Sequence, residues 1–241
     1  MKIKTAITNF KQDKEFIRGQ DLEELIKNKS FVESIFLILK GELPSDNETK
    51  MMNALFTAAI DHGPGTASAQ TARITVSAKN SMHTSLAAGI LAMGDRHGSA
   101  IEGAAKFFQE NFDCDDVESL VKDLKEKKIR IPGYGHPFLE YDNRVDVLFE
   151  VAKETGFYGK HSELAEKVRD VLNSVSSKKL PLNVDGVMGA IISDMGFDWK
   201  LGKGFFIIAR VPGLVAHIYE EIVDDVGVRR MDQGDIEYKG K

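Results

Sequence analysis

Ser30-Phe31-Val32-Glu33-Ser34-Ile35-Phe36-Leu37-Ile38-Leu39-Lys40-Gly41-Glu42-Leu43-Pro44 is a helix written out with both of its ends. Ser30 and Glu33 form a capping box that satisfies backbone donors at the start. Phe31, Ile35, Phe36, Ile38 and Leu39 supply apolar bulk, and Gly41 followed by Pro44 stops the helix. The same grammar repeats outward. Ser45 opens a second helix whose Met52, Leu55, Phe56, Ala59 and Ile60 recur at helical spacing until Gly63-Pro64-Gly65 breaks it, so it ends at Asp61-His62. Upstream, Asp21 caps a short helix through Lys27, and residues 4–10 alone show the alternation of a strand. Downstream, residues 116–128 place Val117, Leu120, Val121 and Leu124 on one helical face, and residues 142–154 and 162–174 read as two more amphipathic helices. Residues 66–105 are rich in Ala, Ser, Thr and Gly, which lets helices approach closely and suits a subunit interface. Residues 181–186 read as a short extended entry to the apolar segment 187–195. Nearly every segment is helical, so the expected fold is all-α.

The chain has 241 residues, of which 42% are hydrophobic, enough for a real core in one domain or two. Its net charge of -5, with no basic face, argues against a nucleic-acid partner. The single cysteine, Cys114, sits in the acidic run Asp113-Cys114-Asp115-Asp116. It offers no disulfide framework and no nucleophile, which suits a reducing cytoplasm. The first residues, Met1-Lys2-Ile3-Lys4-Thr5, lack the apolar core of a signal peptide. The apolar run 204–222 is interrupted by Arg210, Pro212 and His217, so no membrane span is expected.

The residues most suited to chemistry lie where glycine and proline set the backbone. In Ile131-Pro132-Gly133-Tyr134-Gly135-His136-Pro137, two glycines allow a ligand close to bare main-chain amides and two prolines stiffen the approach, which presents His136 to a substrate. Alone, such a loop could equally be a turn whose histidine caps a helix. His62, before Gly63-Pro64, and His97, inside Gly94-Asp95-Arg96-His97-Gly98, share the setting; His83, His161 and His217 do not and are expected to be structural. Arg210 within an apolar run needs a buried anionic partner, whereas Arg144 could be an ordinary surface charge. Asp185 reads either as a helix N-cap or as a partly desolvated carboxylate with a raised pKa. No histidines or carboxylates fall at metal-ligand spacing, so no metal is expected.

Five blocks, taken in order, carry a resemblance: Asp61-His62-Gly63-Pro64, Gly94-Asp95-Arg96-His97-Gly98, Gly133-Tyr134-Gly135-His136, Leu182-Asn183-Val184-Asp185-Gly186 and Ala209-Arg210-Val211-Pro212-Gly213. Together with Ile17-Arg18-Gly19-Gln20-Asp21 and Gly41-Glu42-Leu43-Pro44 they resemble the citrate synthase superfamily almost end to end. One helix separates Pro44 from Asp61, and this shortness is similar to the citryl-CoA lyase branch, including the carboxy-terminal module of ATP citrate lyase. The chain departs from that module at His97, where the module usually has Phe and a citrate synthase has His.

The resemblance implies a large helical domain made of residues 1–96 and 196–241, and a small, coenzyme A-binding domain of residues 97–195 that closes over the site. It implies a homodimer or higher homo-oligomer, because an arginine from the neighbouring subunit, here Arg230 or Arg229, completes the pocket. The implied reaction is cleavage of citryl-CoA to acetyl-CoA and oxaloacetate, next to the tricarboxylic acid cycle. One alternative is a short citrate synthase; another, of a different class, is a non-catalytic acyl-CoA-binding partner of a separate citryl-CoA synthetase. An enolate needs a carboxylate near the methyl group and a neutral donor at the thioester oxygen. Asp185 takes the first role and His97 the second, His136 serves the ketone or alcohol oxygen, and His62, Arg144, Arg210 and Arg230 bind the substrate carboxylates. Coenzyme A would lie along Pro132, Gly133, Tyr134 and Gly135 with its phosphates near Lys178 and Lys179. No cofactor is implied beyond coenzyme A as part of the substrate.

Overall fold

Asp21, Ser30 and Ser45, read from the sequence as helix starts, are the caps the chain uses there. In the computed structural model, which describes residues 2–94, 97–98, 100–135 and 141–240, three short antiparallel strands come first: β1 (Thr8–Lys11), β2 (Lys14–Ile17) and β3 (Gln20–Asp21). The expected single strand over residues 4–10 is thus a small meander that begins four residues later. Gln12 and Asp13 turn between β1 and β2 with positive φ, so the strands pair across a tight turn rather than extending the alternation upstream.

Helices follow: α1 (Leu22–Asn28), α2 (Phe31–Lys40), α3 (Asp46–Ala59), α4 (Ala67–Ser77), α5 (Met82–Leu91) and α6 (Ala100–Asn111). After them come α7 (Val117–Glu126), α8 (Asn143–Thr155), α9 (Lys160–Val175), α10 (Val184–Asp194) and α11 (Gly202–Asp224). Both expected capping boxes are formed. Ser30 accepts from the Glu33 amide at 3.3 Å while Glu33 accepts from the Ser30 amide at 2.8 Å, and that bond, with Lys29 alongside, holds the Glu33 carboxyl down to about 2. Ser45 and Glu48 repeat the arrangement ahead of α3.

α9 begins at Lys160, two residues before the expected start. Its cap is the remote Asp194, whose carboxylate accepts from the amides of Gly159, His161 and Ser162 at 3.0 Å each. Such long-range capping satisfies the helix N-terminus as a local Ser or Asp would.

One large core unites α2, α3, α6, α8, α9, α10 and α11 around Phe36, Met52, Phe108, Met188, Ile191 and Phe205. A smaller core lies between α4, α5 and α11 around Ala72, Val76, Leu214 and Ile218. Residues 199–224 have the length and hydropathy of a membrane span. Yet α11 buries Phe205, Phe206, Leu214 and Ile218 against neighbouring helices, and buries Arg210 and Glu221 with them. That is the behaviour of a core helix, and it brings Arg210 to the place where the ends of α4, α6 and α10 meet.

Candidate active site

The site is built from a loop clamped to a helix start. Residues 131–135 run beside 181–183: the Gly135 amide donates to the Pro181 carbonyl at 2.7 Å, the Asn183 amide donates to the Gly133 carbonyl at 3.0 Å, and the Asn183 side chain donates to the Gly135 carbonyl at 2.8 Å. Gly133 has φ +87°, and a Cβ on Gly186 would lie 2.5 Å from the Gly133 carbonyl oxygen, so only glycine permits this approach. The Tyr134 ring is buried and its hydroxyl donates to the Ala165 carbonyl at 2.8 Å. Tyr134 therefore anchors the loop, leaving main chain to face a ligand. His136, the histidine this loop was expected to present, lies outside the described residues.

Residues 181–186 are not wholly extended. The helix starts at Val184, and its N-cap is Asn183, whose side chain accepts from the Gly186 amide at 3.1 Å. Asp185 sits in the first turn and is not the cap, so the capping explanation for this carboxylate fails. Its Oδ1 is buried with no hydrogen-bond partner among the described residues. Burial pushes its pKa up to about 6, against the opposing pull of Arg144 and Arg210 and with a smaller upward push from Asp142. A carboxyl poised near neutrality can hold or release a proton at low cost.

Asp185 lines a cavity of about 670 Å³ together with His62, His97, Arg144, Arg210 and residues 131–135. Arg210 is 3% exposed; its Nε donates to the Ala59 carbonyl at 2.8 Å, its guanidinium lies 4.6 Å from the Phe206 ring centre, and its Nη1 is buried without a partner among the described residues. A permanent cation with an unused donor in a dry setting is built for an anion. Arg144 is half-buried rather than a surface charge. Asp142 grips it at 2.9 and 2.8 Å and also accepts from the Val184 amide at 3.0 Å, which ties the guanidinium to the helix that carries Asp185.

His97 is joined to Gly94 by a pair of backbone hydrogen bonds of 2.8 Å each. Its Nε2 lies 2.8 Å from Ser68 Oγ and 3.4 Å from the Ser68 amide at the start of α4. A backbone amide can only donate, so Nε2 accepts and the ring proton sits on Nδ1. Burial, then the charges of Arg210 and His62, lowers the His97 pKa and keeps it a neutral donor.

His62 lies beyond α3 in a loop held by its neighbours. Asp61 accepts from the Gly63 amide at 2.8 Å and meets His217 Nε2 at 3.0 Å. α11 passes so close that a Cβ at Gly213 would collide with the Ile60 carbonyl. His161 pairs with Asp194 at 2.8 Å and His83 contacts Ser81 at 3.1 Å, and neither borders the cavity. Lys178 and Lys179 are exposed and do not border it either; Arg130 and Lys203 do. Sequence reasoning missed these two cations, and also Asp142 and Ser68. Arg229 is held within its own chain, its Nε donating to Glu221 at 2.7 Å, while Arg230 next to it is exposed and does not line the cavity of its own chain. Among the described residues, no three metal-ligating side chains converge.

Comparison with known proteins finds similar structures and sequences. The solved structure of citryl-CoA lyase from Hydrogenobacter thermophilus superposes with a TM-score of 0.93 at 46% identity, covering 99% of this chain and 95% of that one. Citrate synthase 2 of Bacillus subtilis is 31% identical over 209 residues, 85% of this chain and 55% of that protein. ATP citrate lyase of Methanosaeta concilii, solved with (3S)-citryl-CoA, matches at a TM-score of 0.91 and 24% identity, which speaks to the fold alone; this chain covers 42% of it. The chain thus spans about half or less of these two longer proteins and nearly all of the first. The family described as "Citrate synthase, C-terminal domain" matches residues 44–231, from the turn before α3 to the tail beyond α11. A match of that extent, over a cavity lined by His62, His97, Asp185 and Arg210, makes the chain a member of the citrate synthase family.

Proposed function

We propose that this protein is a citryl-CoA lyase, cleaving citryl-CoA to acetyl-CoA and oxaloacetate. The observation that carries the reading is one cavity lined by a buried carboxyl with an idle oxygen, Asp185, and a buried guanidinium with an idle donor, Arg210. A non-catalytic binding module has no need of an unpartnered carboxyl with a pKa near 6 beside a neutral imidazole. The near full-length likeness to a citryl-CoA lyase favours cleavage over the condensing alternative.

In cleavage, the proton of the substrate hydroxyl passes to a base, a role left to His136. The carbon–carbon bond then breaks, releasing the oxaloacetate ketone and the enolate of acetyl-CoA. His97 donates from Nδ1 to the enolate oxygen, and the protonated Asp185 delivers its proton to the methylene carbon to complete the acetyl group. Arg144 and Arg210, with His62, hold the carboxylates, and Asp142 keeps Arg144 in place. Coenzyme A lies along Pro132 to Gly135, and Arg130 and Lys203 at the cavity, rather than Lys178 and Lys179, face its phosphates.

Assembly as a homodimer fits the outer face of the α4, α5 and α11 group, where Ile74, Leu91, Tyr219, Ile222 and Val223 stay exposed. It would bring Arg230 to the neighbouring site, while residues 97–195 close over the substrate. The test is to supply purified protein with citryl-CoA and couple released oxaloacetate to malate dehydrogenase. Steady NADH oxidation is expected, and none at micromolar enzyme would overturn the reading.

A further inference from the structure

A chain of charged side chains runs from the loop of His62 to the carboxy-terminal tail, and nothing in the proposed chemistry uses it. Asp61, the residue before His62, meets His217 Nε2 at 3.0 Å. On the other edge of the same ring, Arg73 Nη1 lies 3.4 Å from His217 Nδ1 and 3.1 Å from Glu220. Arg73 Nη2 reaches Glu221 Oε2 at 2.9 Å, an ion pair whose angle misses hydrogen-bond alignment. Glu221 Oε1 in turn accepts from Arg229 Nε at 2.7 Å, and the Arg229 amide donates to Ser77 Oγ at 3.0 Å.

Glu221 is the centre of this chain. It is 3% exposed on the inner face of α11, where an isolated carboxylate would be strongly unfavourable, so its two guanidinium partners are obligatory. Arg73 comes from α4 and Arg229 from the tail, so one buried charge fixes three segments against each other. Past Asp224, residues 225–240 are exposed throughout, and the tail is tied to the helices by the Asp225 pair with Lys79 and by the Arg229 attachment.

We propose that Glu221 and Arg73 are positioning residues that clamp the tail through Arg229, so that the adjacent Arg230 is aimed outward, and that set the His62 loop through His217 and Asp61. This rests on the reading in which Arg230 enters the neighbouring subunit's site. The clamp makes substrate binding depend on a carboxylate that touches no substrate. Removing it should weaken binding of the citryl carboxylates uniformly in ground and transition states, raising KM and sparing kcat.

Glu221→Gln keeps the shape and removes the charge. In the full-length enzyme, trypsin should then cut after Arg229 and Arg230 at least about ten-fold faster than in wild type, read by mass spectrometry at a temperature well below unfolding. KM for citryl-CoA should rise about ten-fold with kcat within about three-fold and affinity for free coenzyme A unchanged. Should Glu221→Gln fail to fold, Arg229→Gln leaves the Arg73–Glu221 pair intact and should give the same faster cut after Arg230 and the same KM rise. Wild-type cleavage rate and wild-type KM in the folded variants, with only a lower Tm, would overturn the proposal. If wild-type protein shows no action on citryl-CoA, the lyase reading fails separately, and the trypsin comparison still decides the clamp.

Discussion

A carboxyl held near pKa 6 leaves two marks that can be measured apart, and Asp185 should show both. Its folded pKa lies above the ordinary carboxyl value of about 3.9, so the folded state binds the extra proton. Stability from this group is therefore full below about pH 4 and declines as pH rises through about 6. A gap of about two units corresponds to roughly 3 kcal/mol at pH 7, to be discounted because the residue keeps partial exposure. Asp185→Asn should accordingly be at least as stable as wild type below pH 4 and more stable by about 1–3 kcal/mol above pH 6, by urea denaturation. Its carbon–carbon cleavage should fall by about 10²–10⁴, with coenzyme A affinity nearly unchanged. Loss of stability above pH 6, or retention of most of the rate, would remove the proton-transfer role. Asp185 was legible because an aspartate following an apolar entry and preceding a helix has few ordinary jobs, yet only the structure decided between two of them: Asn183 takes the cap and leaves Asp185 idle. Ser68 was not legible, since its partner His97 is 29 residues away and a serine at a helix start reads as routine.

At the scale of elements, local signals were readable and remote ones were not. The capping boxes at Ser30 and Ser45, and Gly41 at φ +97°, depend on contacts within four residues, and the sequence shows them directly. The start of α9 depends on Asp194, more than thirty residues downstream, so it was placed two residues late. The turn that pairs β1 with β2 escaped notice for another reason: it is made by Gln12 and Asp13, two positive-φ residues that are not glycine. Asp194 makes a prediction of its own. Burial pushes its carboxyl up, but hydrogen bonds from His161 and Ser162 outweigh this and leave it below its usual range. Its stabilisation is present above about pH 4 and is lost as pH falls through the lowered folded value. Asp194→Asn, which turns an amide nitrogen toward backbone donors, should cost about 2 kcal/mol at pH 7. By thermal denaturation the gap to wild type should narrow below pH 4; a constant gap from pH 7 to 3 would argue against a charged cap.

For the whole molecule, the mostly helical class and the blocks that line the cavity were readable, because each block is punctuated by glycine or proline. Which cations face the cavity was not, since Arg130 and Lys203 converge only once α11 and the 131–135 loop are folded, while Lys178 and Lys179 turn outward. The exposed apolar residues on α4, α5 and α11 predict a stable dimer in sedimentation at micromolar concentration. Arg230→Ala should leave that dimer intact while reducing kcat/KM by about ten-fold or more, through loss of one charge-assisted contact; a fully active monomer would contradict both. In the proposed reaction this cavity splits a carbon–carbon bond and leaves the thioester whole. This is tested most directly by giving the wild-type protein citryl-CoA and following acetyl-CoA, oxaloacetate and free thiol in one reaction. Equal amounts of acetyl-CoA and oxaloacetate with no free thiol are predicted, whereas free coenzyme A and citrate in place of oxaloacetate would contradict the account and mark a thioester-hydrolysing synthase.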